Sequence, residues 1–135
     1  MIVVDTNVIS YFYLSSQYSE SADQLFQKTN NWAAPLLWRS EYRNVLAFYV
    51  RKKIITLPDA ILLFEAAVSL LHENEYEINS HQVLRLSQAS GCSAYDCEFV
   101  NLAQDLNVPL VTMDKRILQR FHGTAVSIQQ YLEKY

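Results

Sequence analysis

Two aspartates each follow a short apolar run in the sequence. Asp5 comes directly after Ile2-Val3-Val4, and Asp114 comes two residues after Leu110-Val111-Thr112. Such runs predict buried strands, and buried strands that alternate with helices form parallel sheets. Ligands of these sheets bind beyond the carboxyl ends of the strands. We therefore expect both carboxylates at one edge of a sheet, where a ligand can reach them.

Two further carboxylates lie on the apolar stripes of predicted helices. Glu41 is four residues from Leu37 and four from Val45, a spacing that places side chains on one helical face. Asp96 precedes Phe99 by three residues and shares the inward face of its own helix. Ionised carboxylates are rarely buried without partners. Both acids are therefore expected to face inward and to meet the two strand-end aspartates.

Four carboxylates in one place either take up protons or bind cations. Two unit charges about 4 Å apart repel by about 4 kcal/mol at an effective dielectric constant of about 20. Two divalent cations would balance the four negative charges, and ligands made only of oxygen favour Mg²⁺ or Mn²⁺. Such ions turn water into a nucleophile and neutralise a phosphodiester under attack. The acids therefore predict metal-dependent phosphodiester hydrolysis.

Taken singly, three of these acids have structural alternatives. Asp5 could cap a helix over Asn7–Tyr13, and Asp114 could cap one over Lys115–Arg120. Asp96 could complement the dipole of its own helix. The fourth acid lies in mid-helix and has no such role. Convergence on one sheet edge favours a shared site over separate caps.

Composition narrows the possible functions. The chain has 135 residues, 50% hydrophobic and 19% charged, which predicts one folded domain over 1–135 and excludes a disordered chain. Its two glycines are Gly91 and Gly123, so no glycine-rich phosphate loop can be written. The formal net charge is −3, so nucleic acid would have to be met by metal ions or by a local basic patch.

Cysteine usage and the first residues bear on location. Cys92 and Cys97 match neither a zinc spacing nor a disulfide scaffold, which favours a reducing compartment. The first ten residues have no basic region and meet a carboxylate at Asp5, so they do not resemble a signal peptide. No apolar stretch is long enough to span a bilayer. We therefore expect a cytoplasmic protein without membrane contact.

The coarse pattern along the chain alternates strands and helices. It predicts an α/β fold with a parallel sheet between helical layers. The predicted strands are 2–4, 32–34, 110–112 and 124–128. The predicted helices are Ser19–Lys28, Leu36–Lys52, Pro58–Glu73, Ser80–Ser90, Ser93–Leu106 and a last helix to about Lys134.

At this point the motifs resemble a known family. VVDTNVIS, RSEYRNVL and SAYDCEFVNLAQDLNVPLVTMDKRI, together with the chain length, are similar to the PIN-domain nucleases, and among these to the VapC-type toxins of type II toxin–antitoxin pairs. The resemblance covers essentially the whole chain, and residues 93–117 are its most specific part. It implies a three-layer α/β/α sandwich with a short, mainly parallel sheet, and a Mg²⁺-dependent endoribonuclease for which Mn²⁺ can substitute.

The resemblance also implies roles for single residues. Asp5, Glu41, Asp96 and Asp114 match the four catalytic, metal-binding acids. Asn7 and Thr112 match supporting polar residues. Beside the last acid, Lys115 and Arg116 are the candidates for contacts with the phosphates of RNA.

Similar proteins often form homodimers and are silenced by an antitoxin. We expect such a partner to place an amphipathic helix near Tyr11–Leu14 and Phe48-Tyr49, and to bring an Arg or Lys to the acids. Two other functions remain open: a non-catalytic RNA-binding scaffold, and a stand-alone RNA-processing nuclease. A phosphatase with an aspartate nucleophile is disfavoured, because Asn7 stands where that chemistry commonly places a second aspartate.

Overall fold

Five strands and eight helices make up the structure, a computed structural model that describes all 135 residues. The strands are β1 (Ile2–Val4), β2 (Trp32–Pro35), β3 (Glu75–Tyr76), β4 (Leu110–Val111) and β5 (Ala125–Val126). The helices are α1 (Thr6–Tyr13), α2 (Ser19–Lys28), α3 (Leu37–Arg51), α4 (Leu57–Leu71), α5 (Ser80–Ser90), α6 (Ala94–Leu106), α7 (Lys115–Arg120) and α8 (Ile128–Lys134).

The strands form one parallel sheet in the order β3-β2-β1-β4-β5. β1 lies at the centre, where Val3 is in register with Ala33 on one side and Leu110 on the other. All three residues are fully buried, which explains why β1 and β4 read as continuous apolar runs. Because β1 and β4 are neighbours, the residues that follow them meet at one edge of the sheet, as predicted.

The helices cover the sheet in two groups. α5 packs on α6, and α6 contacts β1, β2 and β4. In the second group α1 contacts α2, α3 and α4, while α3 and α4 reach β2. This arrangement confirms the predicted α/β/α sandwich. None of the helices combines the length and the apolar character needed to cross a bilayer.

The sequence pattern missed β3 and misjudged several ends. β3 is two residues long and half-buried, so it has no apolar run to reveal it. The helix predicted over Pro58–Glu73 ends at Leu71, after which the chain turns into β3. The strand predicted over 124–128 is only Ala125–Val126, because the Ser127 side chain caps α8 at the next residue.

Candidate active site

The backbone of Asp5 leaves β1 and begins α1. Its N–H donates to the Val111 carbonyl at 3.0 Å, which continues the β1–β4 pairing by one residue. Asp5 Oδ1 accepts the Thr6 N–H at 2.7 Å, so the carboxylate caps α1. Asp5 Oδ2 accepts the Thr112 hydroxyl at 2.7 Å. With 9% of its surface exposed, this acid is fixed by two donors at the sheet edge.

Glu41 reaches the same edge from the middle of α3. Its Oε1 accepts the hydroxyl of Thr6 at 2.8 Å. The same Thr6 donates its backbone N–H to Asp5, so one residue orients two carboxylates. Glu41 Oε2 accepts no hydrogen bond within the chain and faces the ligand side.

The last two acids are positioned by helix starts. Ser93 caps α6 by accepting the Asp96 N–H at 3.1 Å, which places Asp96 in the first turn. Asp114 caps α7 through Oδ1, which accepts the Ile117 N–H at 3.0 Å. Thr112 Oγ1 accepts the Asp114 N–H at 3.0 Å and so connects this acid to Asp5. Asp114 Oδ2 accepts no hydrogen bond within the chain.

All four acids line one open cavity of about 490 Å³. The cavity lies beyond the carboxyl ends of β1 and β4, between α1, α3 and the first turns of α6 and α7. Its other lining residues are polar or aromatic, with one valine: Thr6, Asn7, Ser10, Tyr11, Asn44, Val45 and Tyr49.

The electrostatics of this cavity disfavour four charged acids. Burial, followed by repulsion from Glu41 and Asp96, raises the pKa of Asp5 to about 7 against the hydrogen bonds that lower it. Burial and the Asp96 charge raise the pKa of Glu41. Burial and the Asp114 charge raise the pKa of Asp96, and Arg116 lowers it. The pKa values of Asp5, Glu41 and Asp96 are thus each raised in part by the charge of another acid, and such a concentration of negative charge attracts a cation.

The donor chemistry fits a divalent cation. The candidate ligands are the carboxylate oxygens of Asp5, Glu41, Asp96 and Asp114, a set without sulfur or imidazole that suits Mg²⁺ or Mn²⁺. As the side chains stand, however, no three Asp, Glu, His or Cys groups come together as a ready-made metal-binding cluster. The structure gathers the four acids around one cavity without bringing three of them into a single cluster.

Comparison with known proteins adds the family to this geometry. The family model described as the PIN domain matches residues 2–122. This chain belongs to the PIN-domain family. No curated protein is similar enough in sequence to count as a relative.

Solved structures share the fold of this PIN domain. PAE2754 from Pyrobaculum aerophilum is 21% identical, with a TM-score of 0.77 over 98% of this chain and 94% of that one. A toxin–antitoxin complex from Klebsiella pneumoniae is 17% identical, with a TM-score of 0.70 over 95% and 98%. FitAcB from Neisseria gonorrhoeae is 15% identical, with a TM-score of 0.72 over 96% and 99%.

The residues named as supporting and RNA-binding have definite places around the PIN-domain site. Asn7 lines the cavity, and its Oδ1 accepts the Met113 N–H at 3.3 Å. This bond fixes the segment that leads to Asp114. Lys115 is exposed at the start of α7. Arg116 is also exposed and donates from Nη2 to the Gly91 carbonyl at 2.6 Å, so part of its guanidinium is already engaged.

Glu41 corrects one detail of the sequence analysis. The fully buried face of α3 consists of Trp38, Tyr42 and Leu46. Glu41 and Val45 lie on the flank of that face, where they line the cavity. The acid is therefore half-buried beside the core instead of within it. The apolar stripe predicted from the sequence, which included Leu37 and Val45, combined residues from two adjacent faces of α3.

Sequence reasoning missed Thr6 and the outer cavity wall. Thr6 follows Asp5, and nothing in the sequence pattern singles it out. Only the fold brings the Thr6 hydroxyl to Glu41. Asn44 and Tyr49 come three and eight residues after Glu41 in α3, a helical spacing that could have found them. Tyr11 was expected near an interface and lines the cavity.

Proposed function

We propose that this PIN domain, a single domain over 1–135, is a divalent-metal-dependent endoribonuclease and the toxin of a type II toxin–antitoxin pair in the cytoplasm. The observation that carries the proposal is the cavity in which Asp5, Glu41, Asp96 and Asp114 meet. A scaffold would gain nothing from this arrangement, because uncompensated carboxylates cost stability.

The four acids would hold Mg²⁺, for which Mn²⁺ can substitute. The bound ion supplies a water of lowered pKa and neutralises the phosphate charge. The chain's own residues set the positions. The Thr6 hydroxyl holds Glu41, and the Thr112 hydroxyl holds Asp5. The capped start of α7 presents Asp114, and the exposed Lys115 beside it would contact a phosphate of the RNA.

Cleavage of RNA by a matched pair of variants tests the proposal. Asp96→Asn removes a charge and a ligand while keeping size and shape. Asp105→Asn makes the same change at an exposed position later in α6. With Mg²⁺ at saturation, we expect at least about a hundredfold loss for the first variant and wild-type cleavage for the control.

Three results would each contradict a part of this function. Wild-type protein without metal-dependent cleavage of total cellular RNA would favour the scaffold alternative. Asp96→Asn protein that retains more than about a tenth of wild-type activity would remove Asp96 from the site. Cleavage in cells that no neighbouring gene product inhibits would leave a stand-alone RNA-processing nuclease.

The antitoxin has a matching surface on the far flank of α3. An open cavity of about 520 Å³ lies between α3 and α4, with mostly apolar walls that include Leu46, Val50 and Phe64. The acidic cavity lies on the opposite flank of α3, and between the two flanks Phe48 is 46% exposed. We infer that an amphipathic antitoxin helix fills the apolar cavity and that its extension crosses Phe48 to bring an Arg or Lys to the acids.

This surface differs from the one expected at Tyr11–Leu14. Leu14 is buried, and Phe12 packs on Phe26 and Trp32 with ring centroids 4.8 and 5.2 Å apart. Leu14 belongs to the core and Phe12 packs against it, whereas Phe48 is exposed. The toxin role takes its support from the Klebsiella pneumoniae toxin–antitoxin complex, which has the same fold.

A charge placed in the apolar cavity tests this partner. Ile61→Glu alters a side chain that is 50% exposed in the cavity wall, and Leu84→Glu makes a comparable change on α5, where the side chain is 64% exposed. Co-expressed with the protein encoded by the adjacent gene, the first variant should lose complex formation and the second should keep it. Equal retention of the complex by both variants would refute the docking surface.

Light scattering of the toxin without its partner tests the proposed homodimer.

A further inference from the structure

The outer wall of the acidic cavity carries two tyrosines and an amide. Tyr11 comes from α1, and Tyr49 and Asn44 come from α3. Both tyrosines are half-buried, Asn44 is exposed, and none of the three side chains makes a hydrogen bond within the chain. Free hydroxyl and amide groups at the mouth of a cavity are available to a ligand.

Tyr11 differs from its two aromatic neighbours. Phe12 packs between Phe26 and Trp32, and the Tyr13 hydroxyl donates to the Ala66 carbonyl at 3.2 Å. Both serve the packing of helices. Tyr11 contacts the ring of Tyr18, with centroids 4.9 Å apart and planes at 55°. This contact orients the Tyr11 ring while leaving it in the wall of the acidic cavity.

We propose that Tyr11, Tyr49 and Asn44 form a base-binding subsite for one unpaired nucleobase next to the scissile phosphate. The subsite rests on the nuclease function proposed above and adds the residues that select the nucleotide. The acids would hold the cation, and the cation would in turn hold the phosphate. The tyrosine rings at the outer end stack on the base. The Asn44 amide offers its NH₂ group as a donor and its oxygen as an acceptor to the edge of the base.

The chemistry of the two ends supports this division. Carboxylates repel the phosphates, and those that hold the cation have fewer oxygens left for a base, so other groups must supply affinity for the nucleotide. Aromatic rings bind any base through its π face, and an asparagine amide pairs with a base edge. The cavity volume of about 490 Å³ lies within the range of about 300–1,000 Å³ typical of small-ligand sites.

Stacking within the cavity requires that the base leave any duplex. A paired base has its faces covered by neighbours and its Watson–Crick edge occupied. The subsite therefore favours cleavage within loops or single strands. It also favours particular bases at one position, because Asn44 reads an edge that differs among the four.

Kinetics with abasic substrates test the subsite. The probe is a single-stranded oligoribonucleotide that wild-type enzyme cleaves at one bond, together with copies that lack the base on either side of that bond. The enzymes are wild type, Tyr49→Phe, Tyr49→Leu, Tyr11→Leu and Asn44→Ala. The control is Tyr135→Leu, which alters a tyrosine that is 54% exposed and lies outside the acidic cavity.

We expect the Leu variants to raise KM about 5- to 150-fold, the range for loss of one stacked base, with little change in kcat. Tyr49→Phe keeps the ring and should keep the KM. Removal of one flanking base should raise the KM of wild type by a similar factor. It should raise the KM of the Leu variants little, because these variants have already lost the stacking contact. Asn44→Ala should flatten the preference among the four bases at that position.

The outcomes separate the subsite from the nuclease function. Absence of metal-dependent cleavage by wild type overturns the function and the subsite together. Cleavage that Asp96→Asn abolishes, but that responds to abasic positions equally in wild type and both Leu variants, overturns the subsite alone. The subsite would also be overturned if Tyr49→Phe and Tyr49→Leu both lowered kcat. The Tyr49 hydroxyl would then serve the reaction, and the ring would not serve binding.

Discussion

Asp5→Asn should stabilise the metal-free protein while abolishing its activity. Asp5 is 9% exposed, and its pKa lies near 7 compared with a usual value of 3.8. The folded state therefore binds a proton more tightly than the unfolded state at this site. Stability from this group is present at low pH and is lost as the pH rises from about 4 to about 7.

The magnitude follows from the size of the shift. A shift of about three pKa units at about 1.36 kcal/mol per unit gives a cost of about 4 kcal/mol for the ionised acid at pH 8. Asn keeps an oxygen for the Thr6 N–H and remains a good helix cap. Its amide is poorly matched to the Thr112 hydroxyl, at a cost of about 1 kcal/mol. The net gain is about 3 kcal/mol, or roughly 10 °C in melting temperature for a chain of this length.

Thermal unfolding in EDTA measures this gain. Wild type and Asp5→Asn are compared at pH 8 and at pH 5, with Asp105→Asn as the control for a lost surface charge. The advantage of Asp5→Asn should be large at pH 8 and much smaller at pH 5, because the wild-type acid is then protonated. If Asp5→Asn were less stable than wild type at both pH values, this prediction would be refuted, because burial of the ionised Asp5 carboxylate would then not destabilise the folded protein.

Three further outcomes are expected. Mn²⁺ at about 100 times its Kd should stabilise wild type by about 2.7 kcal/mol in thermal unfolding, and the replacement of all four acids by amides should remove the response; an unchanged response would place the ion elsewhere. Thr112→Val keeps the shape but removes a donor to Asp5, so RNA cleavage should fall at least tenfold with the fold intact by circular dichroism, and full activity would contradict the orienting role. Glu75 accepts from Trp38 and from Arg39 twice, and these bonds lower its pKa, so Glu75→Ala should cost about 1–3 kcal/mol at pH 7 in urea unfolding. The loss should shrink as the pH falls below 4.5, where wild type also loses the pair.

The sheet and the position of its acids could be predicted from sequence because each depends on local pattern. Ile2–Val4 and Leu110–Val111 are fully buried strands, so their apolar runs were unambiguous. The acids that follow these strands lie at the same edge because β1 and β4 are neighbours in the sheet. The capping interpretations of Asp5 and Asp114 also hold, since each acid uses one oxygen for its cap.

The remaining features depend on contacts between distant segments. β3 exists because Glu75 meets Ala34 in register and pairs with Arg39 at 2.6 Å, partners that lie far away in the sequence. The bond from Thr6 to Glu41 spans 35 residues. The pairing of α3 with α4 creates the apolar cavity, and helical periodicity alone could not distinguish its lining from the core face of the same helix.

Anomalous diffraction from crystals grown with Mn²⁺ tests directly whether the four acids bind metal. We expect a Mn²⁺ peak in the cavity, within coordination distance of carboxylate oxygens of Asp5 and Asp96, and no such peak in crystals of the variant with all four acids replaced by amides. A fully occupied Mn²⁺ site elsewhere on the molecule, with the acidic cavity free of metal at saturating concentration, would contradict it.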